Sequence, residues 1–241
     1  MDEVINEFKL YLKDFDMNNG MIKYKVDHSF RVYEYSKRVI ETLDLSEHDK
    51  KLGMICALLH DIGRFNQIKN YGTWVDSKSL DHGDEGYRVL KENDYIYKYV
   101  DNEEDANIVL KAVKEHNKFS ISNTLNEREM FFAKFTRDVD KIDIIFTQLS
   151  GVRITNYTIT DEMMNTFINK SIIKYKGPSK STFEAVLRQA AYLFDINFRE
   201  SFIILKEKNF IDVKFKNIKS SKELEKIKLI LNDYLEEKIK C

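Results

Sequence analysis

The 241 residues suffice for one large domain or two small ones. With 43% hydrophobic and 33% charged residues, the composition is that of an ordinary globular protein and excludes a disordered chain. Basic residues (39) balance acidic residues (40), which argues against a nucleic-acid polymer as partner. No apolar stretch approaches the ~20 residues needed to span a bilayer, and the acidic start is unlike a secretion signal. Together with only two cysteines, these features predict a cytoplasmic protein without a membrane partner.

The spacing of apolar residues predicts an all-α fold. A single proline and eight glycines suit helices joined by short polar loops. In chain order the predicted helices cover about 2–15, 25–43, 46–60, 82–90, 103–116, 127–150, 161–175, 182–208 and 220–240. Residues 65–81 are predicted to form a loop, 150–160 an irregular or briefly extended segment, and Gly177-Pro178 a break. We expect a single domain, 1–241, with a core at about 24–150 and a helical C-terminal extension at about 151–241.

Four of the five histidines fall near the ends or starts of separate predicted helices. His60 is followed directly by Asp61 in the segment ALLHDIGRF. Side chains about 100° apart diverge at a helix terminus, so the imidazole can bind one metal while the carboxylate reaches a second. The alternative for any single histidine on an apolar stripe is a hydrogen-bonded core residue. His48 fits no such pattern and is expected on the surface.

The order of these residues resembles the metal-ligand pattern of the HD superfamily. It is most similar to the six-ligand variant, in which two metals share the aspartate of the HD pair. The segments VDHSFRV, LLHDIGR, DHGDEG, EHNKF and RDVDKID carry the resemblance, over about residues 24–150. The resemblance implies an HD-domain helical bundle with two divalent transition-metal ions, with iron or manganese favoured and zinc, cobalt or nickel as alternatives. The implied ligands are His28, His60, Asp61 and Asp140 for the first metal, and the shared Asp61 with His82 and His116 for the second.

The choice of Asp140 rests on the resemblance. Helical periodicity alone places Asp138 on the face of the apolar residues of its helix, whereas the family's Asp-Lys-Ile-Asp pattern selects Asp140.

The implied activity is hydrolysis of a small phosphate ester by metal-bound hydroxide, with nucleotides among the candidate substrates. Asp61 and Arg64 are the expected catalytic residues, and Arg64 and Lys141 the expected phosphate contacts. A salt bridge to a neighbouring carboxylate is the alternative role for Arg64. The same ligand order also resembles di-iron HD oxygenases acting on small polyols or phosphonates, and the sequence does not separate the two chemistries. A binding module without turnover is expected to have lost ligands, which this chain keeps.

Two further regions carry candidate substrate contacts. Tyr71 and Trp74 lie in the predicted loop, where they can contact a ligand or fill a small core beneath the loop. In the C-terminal extension, Arg188, Asp195 and Arg199 are expected to reach the pocket or to form an ion-pair network. The last helix has an apolar stripe that predicts packing, with a homo-oligomer contact as a further option.

Overall fold

The computed structural model describes residues 1–147, 157–173 and 181–240. It is 74% helical and has no strand among those residues, which confirms the predicted all-α fold. Within the same ranges, no helix combines the length and the apolar character needed to cross a membrane. The predicted break at Gly177-Pro178 and most of the predicted irregular segment 150–160 lie outside the described residues.

The chain divides into two compact units, Met1–Asp140 and Lys141–Cys241. In chain order the first contains α1 (Asp2–Leu12), α2 (Gly20–Glu41), α3 (Glu47–Leu59), α4 (Ile62–Tyr71), α5 (His82–Lys91), α6 (Glu103–Glu115) and most of α7 (Glu127–Phe146). The second contains α8 (Asp161–Ile168), α9 (Thr182–Ala191), α10 (Arg199–Glu207), α11 (Phe210–Phe215) and α12 (Lys222–Lys240). Compact units of this kind occur within single domains as well as between domains, so the single domain stays a prediction.

Aromatic packing fixes α4 against α1 in the first unit. Phe8 and Phe15 of this N-terminal region place their ring centroids 6.0 and 5.5 Å from the ring of Phe65 on α4. Phe65 is completely buried, and such ring pairs contribute about 0.5–1.5 kcal/mol beyond the area they bury. The predicted loop 65–81 is therefore wrong over residues 65–71, because burial of Phe65 and Ile68 continues the helix. Gly72, with a left-handed φ of 64°, then ends α4.

Two glycines let the helices of the first unit approach to backbone contact. A Cβ on Gly63 of α4 would come closer than 3.0 Å to the carbonyl oxygen of His82 and to the amide nitrogen of Gly86 on α5. A Cβ on Gly83 of α5 would come equally close to the carbonyl oxygen of Lys114 on α6. Because glycine has no side chain, the backbone of α5 can lie in direct contact with the backbones of α4 and α6 at these two crossings.

The C-terminal unit corrects one predicted helix. Residues 182–208 form α9, a 3-10 turn at Tyr192–Asp195 and α10, rather than one continuous helix. The Asn197 side chain donates to the Asp195 carbonyl at 3.0 Å, a local bond that competes with the helical hydrogen bond, and Ile196 is extended. The apolar stripe of α12 is buried as predicted, which confirms this helix as a packing element of its unit.

The three polar residues predicted along 182–208 have separate partners within the C-terminal unit. Arg188 pairs with Glu184 at 2.9 Å, Asp195 pairs with Lys141 at 2.7 Å, and Arg199 Nε donates to the Ile239 carbonyl at 2.8 Å. Arg188 and Asp195 thus form ion pairs, in keeping with the second of the two roles expected for these residues.

Candidate metal centre

Six buried polar side chains from five parts of the first unit converge on one point. None of the six residues is more than 7% exposed. They are His28 on α2, His60 and Asp61 between α3 and α4, His82 at the start of α5, His116 directly after α6, and Asp140 on α7. The structure thus brings together every ligand that the sequence predicts, and a buried cluster of this kind requires charge compensation.

The HD pair lies where the chain changes direction. α3 ends at Leu59, and Asp61, with φ −100° and ψ 16°, leaves the helical conformation before α4 begins. Asp61 occupies the N-cap position of α4, yet its side chain makes no capping hydrogen bond. Both carboxylate oxygens are therefore available to the cluster.

The two carboxylate oxygens of Asp61 face different pairs of imidazoles. Oδ2 lies 3.4 Å from Nε2 of His28 and 3.5 Å from Nε2 of His60. Oδ1 lies 3.4 Å from Nε2 of His82 and 3.6 Å from Nε2 of His116. Asp61 thus stands between the two histidine pairs, with one oxygen directed to each.

Asp140 adds a second carboxylate on the side of the first pair. Its Oδ1 lies 3.2 Å from Nε2 of His28 and 3.5 Å from Nε2 of His60. The donor atoms of His28, His60 and Asp140 lie within 4.8 Å of one another, as do those of His60, Asp61 and His116. Both groups are able to hold a metal ion, and they share His60.

Hydrogen bonds at Nδ1 orient three of the imidazoles. Each Nδ1 faces an oxygen that only accepts, so Nδ1 carries a proton, and an imidazole that is neutral keeps its lone pair on Nε2. The bonds run from His60 to the Ala57 carbonyl (2.8 Å), from His116 to the Val113 carbonyl (2.7 Å) and from His82 to Asp76 Oδ2 (2.7 Å). This arrangement is the usual outer support of metal-binding histidines.

The resulting contact between His82 and His116 fits a cation. Their Nε2 atoms lie 3.1 Å apart, and in the orientation just described each presents a lone pair to the other. Two such lone pairs repel, and a cation between them converts the repulsion into two bonds. The donor set of imidazole nitrogens and carboxylate oxygens is one that transition metals accept.

The pKa shifts describe the cluster without a metal. Burial lowers the pKa of His60, but the charges of Asp61 and Asp140 outweigh it and raise that pKa to about 10. Burial and the charge of Arg64 lower the pKa of His82 to about 3, and burial also lowers the pKa of His116. At neutral pH His60 therefore carries a proton on both ring nitrogens, whereas His82 and His116 are neutral and keep a lone pair on Nε2.

A comparison with protein-family models identifies the family of the chain. The family model of the HD domain matches residues 26–147, slightly more than half of the chain. The chain belongs to the HD-domain family. This is a superfamily of metal-dependent phosphohydrolases, and the matched residues include all six members of the cluster. No curated protein and no solved structure matches the chain.

Helix α2 contributes one cationic side chain at the cluster that was not predicted from the sequence. Lys25 Nζ donates to Asp61 Oδ2 at 2.6 Å, and its side chain is only 13% exposed. Burial raises the pKa of Asp61, but the charges of Lys25 and His60 more than offset it and hold that pKa well below the ordinary value. Lys25 precedes His28 by three residues on α2, so helical spacing was the available signal.

Asp76 is the second missed residue of the HD domain. It begins a 3-10 turn, Asp76–Lys78, between α4 and α5. Burial raises its pKa, but the hydrogen bond from His82 and the charges of His82 and Arg64 hold that pKa below the ordinary value. Nothing in the sequence indicated this role, because a side chain in a loop has no periodic direction.

The two expected phosphate contacts both have ion-pair partners. Arg64 Nη1 donates to Gln67 Oε1 at 2.8 Å, to Asp76 Oδ1 at 2.6 Å and to the carbonyl of Trp74. The salt-bridge alternative for Arg64 is thus present, and its contact with a phosphate stays a prediction. Lys141, directly after Asp140, is buried and paired with Asp195 in the C-terminal unit, so its phosphate contact also stays a prediction.

The aromatic residues of the predicted loop have separate positions. Trp74 is 39% exposed, and its ring centroid lies 5.7 Å from that of Tyr24 on α2. The Tyr24 ring is parallel to the ring of His28 at 6.4 Å. Tyr71 ends α4 and is 53% exposed. Neither loop residue fills a buried core, and Trp74 is linked to a member of the cluster through one intervening ring.

His48 lies apart from the cluster. Its side chain is 60% exposed, and its Nε2 lies 2.9 Å from Oδ2 of Asp105. The prediction of a surface histidine is confirmed.

Proposed function

We propose that the chain is a metal-dependent phosphohydrolase that acts on a small phosphate ester through a dinuclear centre. The observation that carries the proposal is the position of Asp61, with one carboxylate oxygen facing each histidine pair. A carboxylate in this position is suited to bridging two ions, an arrangement typical of enzymes that hydrolyse phosphate esters.

The ligands divide according to the side of Asp61 on which they lie. The proposed first ion is held by His28, His60, Asp61 and Asp140, and the second by Asp61, His82 and His116. Divalent ions at these ligands would supply Lewis acidity toward a phosphoryl oxygen and would lower the pKa of a water molecule. Iron or manganese is proposed first, with zinc, cobalt and nickel also compatible with nitrogen and oxygen ligands.

The chain's own cations are proposed to bind and orient the substrate. Lys25 lies directly beside Asp61, and Arg64 Nε lies 3.5 Å from Asp61 Oδ1. An ammonium and a guanidinium at this position favour a phosphate with its negative charge directed toward the cluster. Lys25 is the better placed of the two, because the two hydrogens of Arg64 Nη1 already face three acceptors.

The exposed ring of Trp74 supports a nucleotide as the substrate. A partly exposed indole packed on Tyr24 offers a surface on which a planar base can stack. In this proposal the phosphate lies at the cluster and the base lies toward Trp74.

The proposal is tested by phosphate release from protein loaded in turn with manganese, zinc and iron. Nucleoside monophosphates, sugar phosphates and a chromogenic phosphodiester cover the ester classes. His60→Ala and Asp61→Asn should each lower phosphate release by at least about a hundredfold, because each removes a proposed ligand. His48→Ala is the matched control, since it removes an exposed histidine that lies outside the cluster.

Two outcomes would count against the hydrolase. Full phosphate release by metal-loaded Asp61→Asn protein would remove the proposed centre from the reaction. Oxygen consumption by the iron-loaded protein, without phosphate release from any ester, would replace hydrolysis with the oxygenase chemistry of the alternative.

A further inference from the structure

The carboxylate of Asp76 connects a cluster histidine to the loop that carries Trp74. Its Oδ2 accepts a hydrogen bond from His82 Nδ1 at 2.7 Å. Its Oδ1 accepts from Arg64 Nη1 at 2.6 Å and from Gln67 Nε2 at 2.9 Å. One oxygen thus binds a histidine of the cluster, and the other binds two side chains of α4.

The bond from His82 determines which imidazole nitrogen is free. A carboxylate only accepts hydrogen bonds, so His82 Nδ1 carries the proton and Nε2 keeps its lone pair. The Asn117 amide nitrogen lies 3.2 Å from the same Nδ1, but the carboxylate is nearer, and the amide donates to Asp81 Oδ1 at 2.9 Å. Asp76 therefore fixes both the tautomer and the ring orientation of His82.

The same carboxylate also helps to hold the loop. The Arg64 nitrogen that donates to Asp76 Oδ1 also donates to the carbonyl of Trp74. Gln67, which is fully buried, donates from Nε2 to Ser79 Oγ at 2.8 Å and to the Leu80 carbonyl at 2.9 Å. Both ends of the segment from Trp74 to Leu80 are thus bound to the residues that bind Asp76.

We propose that Asp76 is a positioning residue that holds His82 ready to bind a metal and links that binding to the conformation of the Trp74 loop. The link to metal binding rests on the proposed dinuclear centre. Because His82 Nδ1 and Arg64 Nη1 bind the same carboxylate and Arg64 also binds the Trp74 carbonyl, a change in the His82 ring is transmitted to Trp74 through Asp76 and Arg64. Loss of such an outer hydrogen bond typically weakens metal binding about 10–100-fold.

The chain provides a built-in reporter, because Trp74 is its single tryptophan. Zinc titration followed by Trp74 fluorescence should give a saturable change in the wild type. In Asp76→Ala the change should be lost or move to a zinc concentration about 10–100-fold higher. Asp76→Asn keeps an oxygen that accepts from Nδ1 and should recover much of the wild-type affinity. Asp84→Ala, which removes an exposed carboxylate two residues beyond His82, should behave as the wild type.

Nitrogen NMR of the histidine side chains gives a readout that needs neither metal nor turnover. Metal-free wild type and Asp76→Asn should show His82 with its proton on Nδ1, whereas Asp76→Ala should show a mixture of both tautomers. An unchanged tautomer in Asp76→Ala, together with wild-type zinc affinity, would overturn the proposal. If the wild type binds none of zinc, manganese and iron, the proposed function fails, and the tautomer still decides whether Asp76 positions His82.

Discussion

Asp140 Oδ1 lies 3.2 Å from Nε2 of His28, which brings α7 to the cluster on the side of the first histidine pair. Asp138, two residues earlier, is completely buried, in agreement with its place on the apolar face of the same helix. One aspartate therefore faces the cluster, and the other belongs to the interior.

Exchanging each aspartate for its isosteric amide tests this difference. Asp140→Asn should weaken metal binding at least tenfold, because an amide oxygen carries no charge to offset the ion. Asp138→Asn should keep the wild-type metal content per folded chain. Elemental analysis after gel filtration measures both, and a loss confined to Asp138→Asn would reverse the assignment.

The raised pKa of His60 predicts that metal and proton compete. Since this pKa is about 10 without metal, the imidazole is protonated at neutral pH, and an ion that binds Nε2 must displace that proton. Metal affinity should therefore rise with pH, about tenfold per unit between pH 7 and 9, and level off above the pKa.

Calorimetry in buffers of different ionisation enthalpy measures the protons released per ion bound. About one proton should be released at pH 7.5 in the wild type and in His48→Ala. Binding with no proton release at this pH would show that His60 is neutral in the metal-free protein.

Removing the charge of Lys25 should affect metal and substrate in opposite directions. Its ammonium lies 2.6 Å from Asp61 Oδ2, so it repels a cation bound there and attracts an anionic substrate. In Lys25→Met, metal affinity should rise by about tenfold, whereas the KM for a phosphate ester should rise with little change in kcat.

Lys23→Met is the matched control, because this lysine lies on the same helix and is exposed. Metal titration and steady-state kinetics on both variants separate the two effects. A parallel fall in metal affinity and activity in Lys25→Met would assign Lys25 a structural role instead.

The close crossing of α4 and α5 predicts that adding a single methyl group at Gly63 will strongly lower the stability of the protein. Gly63→Ala would force a Cβ against the backbone of His82 and Gly86, so the helices must separate. We expect a loss of about 1–3 kcal/mol in the free energy of unfolding, together with weaker metal binding because His82 moves. Gly20→Ala, where a Cβ meets nothing within 4 Å, should change stability by no more than about 0.5 kcal/mol. Denaturant titration compares the two variants, and equal stabilities would contradict this account of the crossing.

The six cluster residues were predictable from the sequence because each lies in a family motif, and His60, Asp61, His82 and His116 also lie at helix ends. The HD pair was also predicted to diverge, and Asp61 indeed leaves the helix directly after His60. The choice of Asp140 needed the motif, since periodicity alone favoured its buried neighbour Asp138. The sequence therefore identified the residues that come together in the cluster, and the structure added their arrangement around Asp61.

Asp76 and the extent of α4 were not predictable in the same way. The contacts of Asp76 depend on a short 3-10 turn whose position is set by Arg64 and Gln67. The helical state of α4 depends on burial of Phe65 against α1, a contact between distant parts of the chain. Patterns within a short window carry no information about such contacts.

The six cluster residues come from five separate segments of the chain between residues 28 and 140, and none comes from the unit Lys141–Cys241. An ion bound to them is therefore a reversible cross-link that closes long loops of the unfolded chain. For a loop of about 100 residues, the loss of unfolded-state entropy corresponds to roughly 4–5 kcal/mol. A chelator should consequently lower the melting temperature of the metal-loaded protein, so the availability of metal would set the thermal stability of the first unit.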